Sequence, residues 1–337
     1  MIKKDKTLII AEAGVNHNGN INLALKLVDI AAKSKADYVK FQTYSTDDLV
    51  QKKVGLAEYQ KKNLKKIFSQ YKLLKKFELS VSDHLRIIKR CKEKKIKFLS
   101  SPFDLKSIDL LKKLKLNLFK IPSGEITNIP YLRKMGALKK QIILSTGMSK
   151  TDEIKKAIKT LISSGTKKKN ITILHCSSEY PAEKNNLNLL SIPLLKKKFN
   201  INVGYSDHSL GLQASFTAVA LGAKVIEKHF TTNKKLSGPD QKASLSPNEL
   251  INLVKGIRYI EPTLGNNVKE PYSAELKNLK FIRKFIVAKK KIIKGEKFTG
   301  KNVTTKRAIA GIPASKWDWV IGKKAKKNFL YDENIKI

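Results

Sequence analysis

The chain has 337 residues, of which 41% are hydrophobic, enough to bury a sizeable core and to form one large domain with a smaller second one. Its formal net charge of +41 is nearly all lysine, spread over every segment with few arginines and no basic face interleaved with aromatics, which argues against a dedicated nucleic-acid binder and leaves solvated faces that also attract anions. Two lone cysteines, Cys91 and Cys176, give neither a disulfide framework nor a CxxC centre, and the first apolar run is short and broken by Glu12; with no stretch of membrane-spanning length, a cytoplasmic protein that engages no membrane is expected.

Short β-branched or aromatic runs recur at intervals that leave room for a helix between them. In chain order they are Thr7–Ala11 (TLIIA), Tyr38–Gln42 (YVKFQ), Lys97–Ser101 (KFLSS), Leu118–Ile121 (LFKI), Gln141–Ser145 (QIILS), Ile171–His175 (ITILH), Asn202–Ser206 (NVGYS) and Lys224–Glu227 (KVIE). Helical spacing lies between them, as in Leu23, Leu27, Ile30 and Ala31, or Ile154, Ala157, Ile158 and Leu161. Ser149–Glu153 (SKTDE) and Ser246–Glu249 (SPNE) set a capping hydroxyl three residues before an acid, a helix start. Eight strand-helix units predict a closed (β/α)8 TIM barrel over residues 1–262. The competing open doubly wound sheet normally carries a GxGxxG turn, an order that AEAGVNHNG lacks. Residues 263–285 carry turn residues and no strand-like run, and read as a linker. Residues 286–337 read as a small, mostly-β module, too short for a large core of its own and expected to dock on something.

A barrel collects its chemistry at the carboxyl ends of its strands. There the sequence places Glu12, then Lys40 and Gln42, Ser100 and Ser101, and Lys120 followed by Ser123 and Glu125. Ser145, His175 with Tyr180 beyond it, Ser206-Asp207-His208 and Glu227-Lys228-His229 complete the set. Lys40 and Lys120 interrupt buried apolar strands, where an unpaired ammonium is costly, so they call for an anion. With hydroxyls from Ser101, Ser123 and Ser145 they compose a pocket for phosphate or carboxylate. His208 and His229 end neighbouring strands. Two neutral imidazoles there make either an open divalent-metal site, oxygen-rich and suited to Mn²⁺ or Mg²⁺, or a helix cap and a carbonyl-bonded ring. His175 is directed to the following loop and is not counted as a ligand; His17 and His84 read as capping or surface residues.

The motifs IIAEAGVNHNGN, VKFQTY, SSPFD, KIPSGE, ILSTGM, ILHCSSEYP, GYSDHSLG, IEKHFT and GPDQKASLSP resemble, in this order, those of the N-acetylneuraminate (sialic acid) synthase family, which includes the legionaminate and pseudaminate synthases. VAKKKIIKGEKFTGKNVTTKR resembles the antifreeze-like (SAF) domain that ends those enzymes. The resemblance implies condensation of phosphoenolpyruvate with an N-acetylhexosamine and water to a nine-carbon 2-keto acid and phosphate. N-acetylmannosamine is the first expectation and a 2,4-diacetamido-trideoxymannose, the legionaminate precursor, the alternative. It implies that Lys40, Ser101, Lys120, Ser123 and Ser145 hold phosphoenolpyruvate, that Glu12 and Gln42 line the same mouth, and that His208 and His229 bind a metal, Mn²⁺ ahead of Mg²⁺ or Co²⁺. Glu125, Tyr180, Ser206, Asp207, Asp240 and Asn63 resemble positions near the sugar or the metal. It further implies a homodimer in which the small domain caps the partner's barrel and Arg307 reaches the N-acetyl group. Here Ala308-Ile309-Ala310 follows that arginine, where the family commonly has Pro-Gly. Other phosphoenolpyruvate-dependent keto-acid synthases generally lack the small domain, and a purely binding, ice-interacting protein has no use for lysines, histidines and an acid gathered at one mouth.

Overall fold

The computed structural model describes residues 6–56 and 69–337, in two units that divide between Gly265 and Asn266. In the first unit the strands are β1 (Leu8–Gly14), β2 (Tyr38–Thr43), β3 (Lys97–Pro102), β4 (Leu118–Ile121), β5 (Gln141–Ser145), β6 (Ile171–Cys176), β7 (Asn202–Asp207) and β8 (Val225–His229). All their ladders are parallel, in the order β3-β2-β1-β8-β7-β6-β5-β4. The end strands β3 and β4 lie side by side without a ladder, so the barrel is nearly closed. Helices follow the strands, among them Ile21–Lys33 after β1, Leu105–Lys113 after β3, Thr151–Ser163 after β5 and Pro247–Thr263 after β8. The expected cap at Ser246 forms, Glu249 accepting from the Ser246 N–H at 2.7 Å. The other helix starts one residue later than its hydroxyl suggested: Lys150 is the cap, its N–H donating to Glu153 at 2.7 Å, while Ser149 donates to the Gly147 carbonyl.

Alternation along each strand sorts the side chains into two environments. Ile9, Ala11, Val39, Phe41, Ile142, Leu144 and Ile226 face the helices in the main core. Ile10, Leu99, Leu118, Ile143, Leu174 and Val225 meet inside the barrel as an apolar plug. Gly204 of β7 belongs to this plug and has no room for more: a Cβ there would lie 2.5 Å from the Val225 carbonyl oxygen and 2.6 Å from Leu174 Cδ2.

In the second unit, β9 (Lys284–Ala288) and β10 (Val303–Arg307) pair antiparallel, with Val303 opposite Ala288 and Arg307 opposite Lys284. Ile286, Ile292, Phe298, Val303, Val320, Phe329 and Ile335 form its core. The segment read as a linker carries a helix, Ser273–Ile282, whose first turn is held by Glu275 accepting from the Tyr272 N–H at 3.1 Å. Among the described residues no helix is long and apolar enough to cross a membrane.

Candidate active site

One pleat period beyond the apolar plug, on the same strands, the interior turns polar. Glu12 follows Ile10, Ser101 follows Leu99, Lys120 follows Leu118, Ser145 follows Ile143, Cys176 follows Leu174 and Glu227 follows Val225; Lys40 and Ser206 complete the layer from β2 and β7. These residues are buried and contact one another across the barrel. Lys40 Nζ lies 3.0 Å from Glu12 Oε2 and 3.5 Å from Glu227 Oε2, and donates to Ser101 Oγ at 3.0 Å. Lys120 Nζ lies 3.3 Å from Glu227 Oε1 and donates to Ser145 Oγ at 2.7 Å, while Ser206 Oγ donates to Glu227 Oε1 at 3.0 Å. Glu227 thus bridges the two lysines.

The two carboxyls are driven apart. Burial pushes Glu12 up to about 8, assisted by the negative Glu227 and only partly offset by Lys40. Burial also acts to raise Glu227, but Lys120 and Lys40 outweigh it and hold this carboxyl down at about 2. The layer therefore sets two lysines against one ionised carboxylate; burial acts to lower both amines, but Glu12 and Glu227 outweigh it at Lys40, which is raised, while Lys120 stays below the usual lysine value. Oε2 of both acids is buried and has Lys40 Nζ as its ion-pair partner.

The next layer outward holds the histidines. His229 ends β8 opposite Glu12, and His208 follows β7; their ring centroids are 5.5 Å apart. His208 Nδ1 donates to the Ser177 carbonyl at 2.6 Å, which fixes the tautomer and leaves a lone pair on Nε2. Burial lowers His208 to about 4 and His229 well below the usual imidazole value, so both rings are neutral. His229 Nδ1 is buried with no hydrogen-bond partner. Tyr180 stacks on His208 at 4.1 Å and meets His229 edge-on at 5.8 Å. Gly14 keeps this corner open: its φ is +51°, and a Cβ there would approach His229 Cε1 to 3.1 Å and Glu12 Oε1 to 3.3 Å. Gln42, Tyr180, His229 and Asp240 line one small cavity with Val15, Leu73 and Phe77. Burial raises Asp240 to about 7. Among the described residues no cluster of three or more His, Cys, Asp or Glu side chains could hold a metal ion, so a cation here would have two imidazoles as protein ligands and would take its remaining positions from water and substrate oxygens. Two neutral rings, one with its tautomer fixed and the other with an orphaned nitrogen, fit a divalent cation.

After β4, Ser123 and Glu125 lie on a single 3₁₀ turn. Ser123 Oγ accepts from the Gly147 N–H at 3.0 Å and lies 3.3 Å from Cys176 Sγ. Glu125 is half-buried, its carboxyl raised by burial, and accepts from Asn128 at 2.6 Å. Three expectations change. Asp207 was expected beside the substrate, but it stands on the opposite pleat from Ser206, its oxygens taken by Lys228, Ser209 and Ser215. His17 and His84 are not surface residues: both are buried, His17 accepting from the Gly19 N–H and His84 bonded to the Ser80 carbonyl and the Thr43 hydroxyl. His175 is bonded to the Leu187 carbonyl at 2.7 Å. Asn63 lies outside the described residues. Arg307 is exposed at the end of β10 in the second unit. Glu227 was expected at the mouth but given no role, and Cys176 was not among the expected site residues, although counting two positions on from each interior apolar residue finds both.

Residues 27–269 match the NeuB family and residues 283–336 the SAF domain. The chain belongs to the NeuB family. It is 51% identical over 331 residues to N,N'-diacetyllegionaminic acid synthase of Campylobacter jejuni, covering 98% of this chain and 99% of that one. It is 42% identical over 322 residues to N,N'-diacetyllegionaminic acid synthase of Legionella pneumophila, covering 95% and 90%. Among solved structures, N-acetylneuraminic acid (sialic acid) synthetase of Leptospira borgpetersenii, in complex with citrate, matches with a TM-score of 0.73 and 34% identity over 81% of this chain and 90% of that one. This NeuB-family chain is an enzyme of the sialic-acid-synthase kind.

Proposed function

We propose that this enzyme condenses phosphoenolpyruvate with a 2,4-diacetamido-trideoxyhexose and water, giving N,N'-diacetyllegionaminate and phosphate. The observation that carries the chemistry is the buried layer in which Lys40 and Lys120 share the single ionised carboxylate of Glu227, beside the Ser101 and Ser145 hydroxyls. Two lysines and two hydroxyls gathered around a single ionised carboxylate suit a multiply charged anion. The choice of sugar rests on the two diacetyllegionaminic acid synthases, at 51% and 42% identity, and reverses the order in which the motifs alone ranked the two sugars.

In the overall change, carbon 3 of the enol bonds to the sugar aldehyde carbon, water oxygen bonds to carbon 2, and the carbon 2 to phosphate oxygen bond breaks. Water loses both of its protons in this change, one reaching the aldehyde oxygen and the other the departing phosphate, so that its oxygen ends as the carbon 2 ketone. Glu12, protonated near neutrality, can donate to the aldehyde oxygen and be recharged from water, whereas Glu227, held ionised at about 2 by Lys120 and Lys40, is a poor base and serves as their counter-charge. Lys40 and Lys120 bind the phosphate and carboxylate and stabilise the charge that develops, with Ser123 completing the anion pocket. His208 and His229 are the residues that would hold Mn²⁺, or Mg²⁺ or Co²⁺ in its place; when bound, the cation supplies a Lewis acid for the sugar carbonyl. Gln42, Tyr180, Asp240 and Glu125 border the sugar, and the motif resemblance extends the reading to a homodimer in which Arg307 serves the other subunit's sugar.

The test is phosphate release from phosphoenolpyruvate with Mn²⁺ present, comparing the 2,4-diacetamido-trideoxymannose with N-acetylmannosamine and a no-sugar blank. Faster turnover with the diacetamido sugar is expected. Preference for N-acetylmannosamine would restore the neuraminate reading, and turnover with neither sugar would refute the proposed substrates.

A further inference from the structure

Behind the two histidines, on the outer faces of β7 and β8, lies an ion pair that touches none of the interior. Lys228 Nζ is 2.7 Å from Asp207 Oδ2, and the two side chains are 1% and 0% exposed. The pair joins residues directly opposite in the ladder, each immediately before a histidine. Its remaining bonds converge on Ser209, the residue just after His208. Asp207 Oδ1 accepts from the Ser209 N–H at 2.9 Å and from its hydroxyl at 2.6 Å, while Lys228 donates to the Ser209 carbonyl at 2.7 Å. Asp207 Oδ2 also accepts from Ser215 Oγ at 2.6 Å, which ties the group to the helix Gln213–Ala220. Both histidine backbones are fixed in turn, the His208 carbonyl accepting from the Ala182 N–H and the His229 carbonyl from the Leu245 N–H.

A buried ion pair adds little net stability over a well-packed apolar pair of the same size, so its effect here is sought in geometry. On this outer face Asp207 and Lys228 form a charged cross-link between the two histidine-bearing strand ends, as Ser206 and Glu227 do on the inner face. We infer that Asp207 and Lys228 are positioning residues that set the spacing and orientation of His208 and His229 for a divalent cation. The inference rests on the metal reading of those histidines given above. It also assigns Asp207 a task that needs no contact with substrate.

The experiment is Mn²⁺ titration calorimetry on the substrate-free full-length protein, with thermal unfolding recorded in parallel. Asp207→Asn combined with Lys228→Met removes both charges, keeps an acceptor for the Ser209 N–H and approximates the lysine's volume. The expected result is a folded protein whose Mn²⁺ Kd rises about 10- to 100-fold, as when other groups supporting metal ligands are removed. Turnover should recover when Mn²⁺ is raised to saturation. If the folded double variant binds Mn²⁺ within about threefold of the parent, a change too small for a supporting group, the positioning role is overturned. Should that variant fail to fold, Ser209→Ala carries the test, since it loosens one tie to Asp207 without leaving a charge unpaired, and an unchanged Kd overturns the proposal. His208→Ala separates the two levels of the argument. If the parent takes up no Mn²⁺, or His208→Ala binds it as the parent does, the metal reading falls and the positioning role with it.

Discussion

Glu12 and Glu227 lie in one layer, both within ion-pair distance of Lys40, yet Glu12 is protonated at neutral pH and Glu227 ionised. The difference is measurable in stability. An unfolded glutamate titrates near 4.5 and the folded Glu12 near 8, so between these values the native state holds a proton that the unfolded chain has lost. This contribution is present in full below about 4.5 and disappears as pH rises through about 8. Glu12→Gln, which keeps the protonated shape, should remove it: the parent's Tm should fall relative to the variant's between pH 5 and 8. Depressed histidines such as His208 give the opposite slope over the acid part of this range, but they are common to both proteins and cancel in the difference. Parallel Tm curves would show that Glu12 is not protonated in the native state. Gly14 makes a second claim at the level of one residue. Gly14→Ala imposes a left-handed backbone on a side chain, at a cost of roughly 1 kcal/mol, and places its methyl against His229 and Glu12. Turnover should fall at least about tenfold, the equivalent of 1.4 kcal/mol in the barrier, with a Tm loss of only a few degrees. Full activity would mean that the mouth has slack there.

At the scale of the strand, Gly204 lets β7 approach β8. A methyl group at 204 would meet a backbone oxygen at 2.5 Å rather than a side chain able to swing away, so the strands themselves must separate. Gly204→Ala should cost about 1–3 kcal/mol, read from the denaturant midpoint; an unchanged midpoint would show that the β7–β8 ladder yields freely. All eight strands were legible because parallel strands, buried on both faces, read as continuous apolar runs. The end of β8 was not: the expected run stopped at Glu227, although the ladder with β1 continues through Lys228 to His229. The site was legible by residue type at Lys40, Lys120, His208 and His229, whose chemistry is conspicuous in an apolar strand. Glu227 was left without a role and Cys176 was passed over because an acid and a thiol at strand ends have many ordinary explanations, and Asp207 was put near the sugar or the metal by a motif resemblance that carries no pleat parity. Pleat parity separates these cases: positions 206 and 227 share the interior, 207 and 228 the outer face. The helix Ser273–Ile282 escaped for another reason, having exposed apolar residues such as Leu276 and Phe281 and no stripe turned to a core.

Over the whole molecule, the charge of +41 divides into two populations. Among the described residues only Lys40, Lys120 and Lys228 are buried lysines, and each lies on a strand beside a carboxylate. The others are at least partly solvated, where single contacts contribute little but the summed field extends over about a Debye length, roughly 10 Å at 0.1 M salt. Such a field acts on the approach of an anion and not on the bond-making step inside the barrel. Raising KCl from about 20 mM to about 500 mM shortens the screening length several-fold. It should therefore raise the KM for phosphoenolpyruvate severalfold while kcat and the KM for the uncharged sugar stay nearly constant. Initial-rate kinetics at saturating co-substrate measure this directly. Equal shifts in both KM values would point to a general effect of salt on the enzyme. No shift in either would confine the electrostatics of capture to Lys40 and Lys120, whose burial shields them from added ions, and would leave the surface lysines without a part in the reaction.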